Sequence, residues 1–211
     1  MYKLIIFFFA LTFIPLNTNG QKKSNTKNSG KEINILFIGN SLTYTNNLPK
    51  LVKKEAKKKG IKINTKMIAL PNYALIDHWN VGKVQQLIRS KKYDFVIIQQ
   101  GPSSQNDGRK ILIEYGTKLN KLSRENGAKL CYFMVWPSLN YYHTFNGVIK
   151  NHSDAAKLNN AILIPVGKVW KNHFDKKNEF KYYGPDGFHP SLLGSQIAAK
   201  TIIVTLFDKK G

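Results

Sequence analysis

The 211-residue sequence is poor in several residue types, and each shortage excludes a class of protein. Cysteine occurs once, at Cys131, so neither an internal disulfide nor a thiolate metal cluster can form. Cys131 lies in an apolar, strand-like run and reads as a buried core residue. Acidic residues number 12 against 33 lysines and arginines, a formal net charge of +21. Arginine, however, is confined to Arg89, Arg109 and Arg124, so the guanidinium forks that read phosphates and base edges are scarce. No helix-turn-helix, zinc-finger or RNA-binding motif accompanies the charge. The excess therefore reads as a lysine-rich solvated surface without a specific nucleic-acid partner, weakly attractive to polyanions such as acidic cell-surface glycans. There is no glycine-rich phosphate loop and no His/Cys grouping at metal-ligand spacing, so no cofactor and no metal are expected.

Long apolar runs are missing too. The one near the start, Leu4 to Leu16, is interrupted by Pro15 and is short for a membrane span. Lys3 precedes it and Asn17, Thr18, Asn19 and Gly20 follow, the pattern of an export signal over residues 1–20. A retained anchor helix is the alternative. No cysteine follows the run, which argues against a lipid-modified N-terminus. Residues 21–31 are polar and basic, a flexible leader, and 32–211 form the domain. Export to the periplasm or the extracellular space is the expectation, with no stable membrane span after signal cleavage. Oligomeric state is not legible.

What remains suits one globular domain: 42% hydrophobic and 12% aromatic residues are enough for a real core. Apolar runs at Ile33–Ile38, Ile61–Ala69, Phe95–Ile98, Leu130–Val135 and Ala161–Val166 predict five strands. Between them, Leu48–Lys59, Val81–Lys91 and Lys110–Asn126 predict helices, the last with Gly127 as its C-cap. A final helix over Pro190–Phe207 would carry proline in its first turn. Strands apolar throughout, alternating with helices, indicate a parallel sheet covered on both faces. The expected architecture is a flavodoxin-like three-layer α/β/α sandwich around five parallel strands. In such sheets functional groups gather beyond the carboxyl ends of the strands.

Two segments at opposite ends of the domain fit that rule. The first strand runs into Gly39-Asn40-Ser41-Leu42-Thr43, and Gly184-Pro185-Asp186-Gly187-Phe188-His189-Pro190 precedes the last helix. Alone, Ser41 reads as a helix cap or turn serine. A nucleophilic serine needs a base, and the base needs a carboxylate to fix its tautomer. Asp186 and His189, three residues apart in a Gly/Pro-rich turn, can supply both. Of the five histidines only His189 has a nearby preceding acid in a loop before a helix. The bland alternative is a helix cap beside a surface histidine.

At these residues the chain resembles the SGNH (GDSL-type) hydrolases, from about Ile33 to Phe207, in block order and spacing. The resemblance implies ester hydrolysis through an acyl-enzyme, with no metal, and a triad of Ser41, Asp186 and His189. It implies an oxyanion hole formed by the Ser41 backbone N–H, Asn72 and a donor at Gln100 or Ser103. Asn72 stands where the family has glycine, and Ser103 stands near the position of the third-block asparagine. Gln-Gly followed by a small polar residue is similar to the carbohydrate-acetylesterase and sialate-acetylesterase branches. Asn106-Asp107 matches Asn-Asp superficially but falls several residues late. Asn72 and Gln100 have a plainer alternative, as hydrogen-bonded ties between loops.

Several aromatic segments stay open between pocket and core. His78-Trp79 would line a pocket rim or pack inside. Trp136-Pro137 would form a sugar-stacking wall or close a strand end. Tyr141-Tyr142-His143 would shape an entrance, Trp170 and Phe174 read as helix-face core, and the lysines from Lys53 to Lys59 read as solvent-facing. The expectation is a secreted esterase acting on a small ester or an acylated carbohydrate, with acetyl esters on glycans as one class. Its competitors are a non-catalytic carbohydrate-binding relative and a basic polyanion-binding surface protein.

Overall fold

Each of the five apolar runs between Ile33 and Val166 supplies a strand of one sheet. The computed structural model describes residues 1–2 and 31–208; the expected export signal, apart from residues 1–2, and the expected leader, apart from Lys31, lie outside the described residues. The strands are β1 (Ile33–Gly39), β2 (Ile63–Ala69), β3 (Phe95–Ile98), β4 (Lys129–Phe133) and β5 (Ile162–Ile164). All pair in parallel, in the order β2-β1-β3-β4-β5. The expected five-stranded α/β/α sandwich is therefore present, with the flavodoxin-type strand order.

The pleat of β1 divides the core in two. Ile35 and Phe37 face one cluster, which reaches Trp136, Trp170 and Ile202. Leu36 and Ile38 face the other, with Val84, Leu119 and Tyr132. These four β1 side chains are fully buried, which explains why the run Ile35–Ile38 is apolar throughout rather than alternating. The chain leaves β1 toward β2 on one side and returns to β3 on the other. This topological switch point brings the carboxyl ends of β1 and β3 together at residues 39–41 and 99–100.

Helices cover both faces: α1 (Ser41–Tyr44), α2 (Leu48–Lys58), α3 (Leu75–Val81), α4 (Lys83–Ser90), α5 (Asn106–Glu125), α6 (Phe145–Leu158), α7 (Val166–Lys177) and α8 (Leu192–Phe207). The helix expected at 81–91 is present as α4, while α3 before it is not expected; Gly82, at φ 79°, caps α3 and separates the two. α5 begins at Asn106, four residues earlier than its apolar pattern suggests. α6 is not expected at all. Its inward face carries Asn151 and His152 among Phe145, Val148, Ala155 and Ala156, and those polar residues hide the periodicity. Pro190 is not the first turn of α8; Ser191 is the N-cap, its Oγ accepting from the Gly194 N–H at 3.1 Å.

Candidate active site

The turn after β1 is built around a buried amide. Gln99 Oε1 accepts from the Asn40 N–H at 2.9 Å and from the Thr43 hydroxyl at 2.8 Å. A Cβ at Gly39 would collide with both Gln99 Oε1 and Thr43 Oγ1, so this glycine exists for close approach. Asn40 in turn accepts from the Leu42 N–H at 3.1 Å, capping α1, and donates to the Tyr73 carbonyl at 3.0 Å. His78 Nε2 donates to the Gly39 carbonyl at 2.7 Å. Burial pulls the pKa of His78 down, against the opposing effects of that bond and of Asp77, so the ring is a neutral donor. His78 thus belongs to the support of the turn and not to a pocket rim. Ser41, opening α1, is partly exposed, and its Oγ makes no hydrogen bond among the described residues.

The second segment folds as a tight turn. Gly184 N–H donates to the His189 carbonyl at 2.7 Å, Gly187 N–H to the Gly184 carbonyl at 3.0 Å, and Gly187 takes φ 66°. This brings the Asp186 carboxylate back over the ring. Asp186 Oδ2 lies 2.5 Å from His189 Nδ1, while Oδ1 accepts from the N–H groups of Phe188 (3.0 Å) and His189 (2.9 Å). The His189 bond foremost, then the Phe188 N–H, holds the Asp186 carboxyl below the usual carboxylate range. An ionised Asp186 keeps the proton on Nδ1 and leaves the Nε2 lone pair free, the orientation a general base requires.

Three anchors fix this turn from outside. Trp136 Nε1 donates to the Phe188 carbonyl at 3.0 Å, and the Leu139 N–H donates to the Gly187 carbonyl at 2.8 Å. Asn46, five residues after Ser41, donates to the Pro190 carbonyl at 3.0 Å and to Ser195 Oγ at 3.0 Å. The two ends of the domain thus meet at the switch point. Ser41 and Phe188 line one pocket of about 310 Å³, together with Asn40, Asn72, Tyr73 and Gly101.

The remaining expected site residues divide. Asn72 borders the pocket with φ 60°, the left-handed backbone that glycine and asparagine tolerate best. Gln100 and Ser103 are buried. Gln100 donates to Ser103 Oγ (2.9 Å) and the Gly108 carbonyl (3.1 Å), and its Oε1 takes the Leu75 N–H at 3.2 Å. Ser103 Oγ donates to the Gly101 carbonyl at 2.9 Å. Both side chains close the loop from β3 to α5, and neither has a hydrogen left for an oxyanion. Asn106 and Asp107 form the first turn of α5 and do not line the pocket. Trp136 is no sugar wall: it is fully buried, stacked on Trp170 at 3.6 Å. Phe174, Trp170 and Cys131 are core residues as expected, and burial raises the Cys131 thiol above its ordinary range. No group of three or more His, Cys, Asp or Glu that could hold a metal occurs among the described residues, and no described helix is long and apolar enough to cross a membrane.

No family model and no curated protein matches the sequence. Solved structures do match in shape. A candidate SGNH hydrolase of Slackia heliotrinireducens superposes with a TM-score of 0.72 at 21% identity, over 83% of this chain and 100% of its own. The fold is that of the SGNH hydrolases. A lipase/acylhydrolase of Enterococcus faecalis gives 0.66 at 16% identity, covering 81% of this chain and 93% of its own. A variant of an acetyl-xylooligosaccharide esterase of Geobacillus gives 0.67 at 13%, covering 84% and 95%. In this SGNH-type domain the missed contributor is Gln99. Its only sequence signal is a polar residue directly following an otherwise apolar strand.

Proposed function

We propose that the chain is an exported serine esterase acting on short-acyl esters, with acetyl groups on glycans as its natural class. The observation that carries the reading is the Asp186–His189 pair, with its carboxylate on Nδ1 and its turn tied through Asn46 to the segment that bears Ser41. Shared fold with proteins described as a lipase/acylhydrolase and an acetyl-xylooligosaccharide esterase supports the ester and the acyl group. The charged, short apolar and polar blocks of residues 1–20 support export.

In this mechanism Ser41 Oγ attacks the ester carbonyl as its proton passes to His189 Nε2. The oxyanion lies against the Ser41 N–H, which no backbone carbonyl engages among the described residues, and against the Asn72 N–H. Collapse breaks the bond to the alcohol oxygen, which takes the proton from His189 and leaves an acyl-serine. Water, deprotonated by the same ring, then attacks the acyl carbon, and Ser41 leaves with the proton returned. The free Ser41 Oγ belongs to a resting site, since contact between nucleophile and base commonly tightens only with substrate bound.

The test is fluorophosphonate labelling of the mature protein with the adduct mapped, beside p-nitrophenyl acetate hydrolysis. An adduct on Ser41 and turnover lost in Ser41→Ala are expected. Equal inertness of both proteins across several acyl esters refutes the enzyme and favours a non-catalytic carbohydrate-binding relative. A second reading draws on a groove of about 970 Å³ lined by Lys50, Lys53, Lys54, Lys57 and Lys62. As a polyanion site it predicts salt-sensitive retention on an anionic polymer, indifferent to Ser41→Ala.

A further inference from the structure

We propose that the groove beside the Ser41 pocket binds a neutral sugar ring, with Tyr141 as its stacking platform; as the alcohol side of the substrate, this assignment rests on the esterase reading above. The groove measures about 690 Å³ and shares Pro102 and Phe188 as walls with the Ser41 pocket, so one molecule can occupy both. Tyr141 lines it with a ring 63% exposed, the most exposed aromatic between residues 31 and 208.

The backbone that carries this ring is nonetheless held in place. It lies in a 3₁₀ turn, Leu139–Thr144, whose central Tyr142 packs inward on Phe145 (5.1 Å), Phe180 (5.6 Å) and Phe174 (6.3 Å). The Tyr142 hydroxyl donates to Asp175 at 3.0 Å. Tyr141 and His143, on either side of this anchor, are both exposed. Thr144 Oγ1 donates to the Tyr141 carbonyl at 2.7 Å, and the Leu139 N–H bonded to Gly187 joins the turn to the Asp186–His189 loop. The platform is preorganised with respect to the catalytic base, so little freedom is lost when a ring stacks on it.

The lining selects the ligand. In a chain of net charge +21, no lysine, arginine, aspartate or glutamate lines this groove. Its polar groups are the hydroxyls of Ser104, Ser138 and Thr144, the amide of Gln105 and the imidazole of His143; its apolar walls are Pro102, Pro137, Tyr141 and Phe188. A charged alcohol finds no lysine, arginine or carboxylate there, and a wholly apolar chain leaves the hydroxyls and the amide without partners. A neutral ring with one apolar face and a rim of hydroxyls meets both kinds of wall.

The direction of the reaction decides which half of the ester enters. His189 must return its proton to the leaving oxygen, so the alcohol departs on the His189 side. Phe188, whose ring lies 5.1 Å from that of His189, is the shared wall. The acyl group is left with the smaller pocket beside Asn72, Tyr73 and Ala74, which limits its length.

The experiment compares wild type and Tyr141→Ala on p-nitrophenyl acetate, p-nitrophenyl octanoate and acetylated xylotriose, with xylotriose titrated calorimetrically into Ser41→Ala and Ser41→Ala/Tyr141→Ala. Tyr141→Ala should raise KM for acetylated xylotriose on the order of tenfold, the scale of one lost aromatic contact. Its constants on p-nitrophenyl acetate should stay within about twofold of wild type. An equal loss on p-nitrophenyl acetate, or a loss confined to the octanoate, overturns the assignment, the latter by placing the acyl chain in the groove. Should Ser41→Ala match wild type in every hydrolysis, the esterase reading fails on its own. The titration still judges the groove: xylotriose binding weakened by Tyr141→Ala upholds a sugar site, and binding absent or unchanged overturns it.

Discussion

Gln99→Leu removes the keystone under the Ser41 turn while keeping nearly the same volume. Gln99 is 1% exposed, and its Oε1 receives both the Asn40 N–H and the Thr43 hydroxyl. With leucine there, two buried donors lose their partner, at about 1–3 kcal/mol each. The same substitution also deletes Gln99 Nε2, a buried amide nitrogen with no hydrogen-bond partner, which returns about 1–2 kcal/mol. The net loss is about 2.5 kcal/mol at the middle of those ranges and about 5 kcal/mol at most, against the roughly 5–15 kcal/mol a domain possesses, so the variant should still fold. Asn40 immediately precedes Ser41, so freeing its N–H loosens the proposed nucleophile, and a displacement of about 1 Å can cost on the order of 10²-fold in rate. Thr43→Val is the comparator: Gln99 keeps its Asn40 donor, and the cost should be about 1 kcal/mol. Urea unfolding and p-nitrophenyl acetate kinetics on both variants check the argument. If Gln99→Leu is no less stable than Thr43→Val and its kcat stays near wild type, the keystone role is wrong.

Two further outcomes follow from the same contacts. In Asp186→Asn the amide oxygen can serve either the two backbone N–H groups or His189, and the amide NH₂ set against Nδ1 drives the ring proton to Nε2; kcat should fall on the order of 10⁴-fold with the melting temperature little changed, and a loss below tenfold would mean the pair does not orient the base. His152 is fully buried with Nδ1 on the Val148 carbonyl, and burial pushes its pKa down to about 4. The unfolded chain therefore binds the extra proton first: stability is complete above the ordinary pKa of about 6.5, declines as pH falls, and levels off near the folded value. Between pH 6.5 and 5 this amounts to about 2 kcal/mol that His152→Leu should not lose, so equal urea-midpoint shifts in the two proteins refute it.

The sheet was legible because a parallel strand buried on both faces must be apolar at every position, as Ile35 through Ile38 are. The Asp186–His189 turn was legible because two glycines and two prolines around an acid and an imidazole leave the chain few alternatives. The support of the nucleophile was not. Gln99 and Gln100 are identical neighbours at the end of β3, but alternate residues point to opposite faces. Gln99 therefore holds the Ser41 turn while Gln100 ties α3 to the following loop, a division no composition or spacing reveals. α6 was hidden for a related reason, since Asn151 and His152 are polar residues on its buried face, bonded to the Ser103 and Val148 carbonyls.

Position 72, where the resemblance to the SGNH hydrolases implies a glycine, is an asparagine in a backbone conformation that glycine also tolerates. The non-glycine residues with positive φ among the described residues are Asn46, Asn47, Asn72, Asn160 and Asn178, without exception asparagines. This chain thus uses asparagine where the backbone must turn left-handed, and Asn72 follows that habit beside the pocket. If so, the donor toward an oxyanion is the Asn72 N–H, and the side chain is there for its conformational tolerance. Asn72→Gly should then keep kcat within a few-fold, because glycine reaches the same φ without a Cβ penalty. Asn72→Ala must hold a φ of 60° against about 1–2 kcal/mol of strain, so its turn relaxes and kcat should fall the further of the two. A side-chain donor predicts the opposite for glycine: a loss on the order of 10²–10³ in kcat with thermal stability intact. Steady-state p-nitrophenyl acetate hydrolysis and melting curves on the two variants therefore separate backbone from amide, and a crippled but stable Asn72→Gly would overturn the backbone assignment.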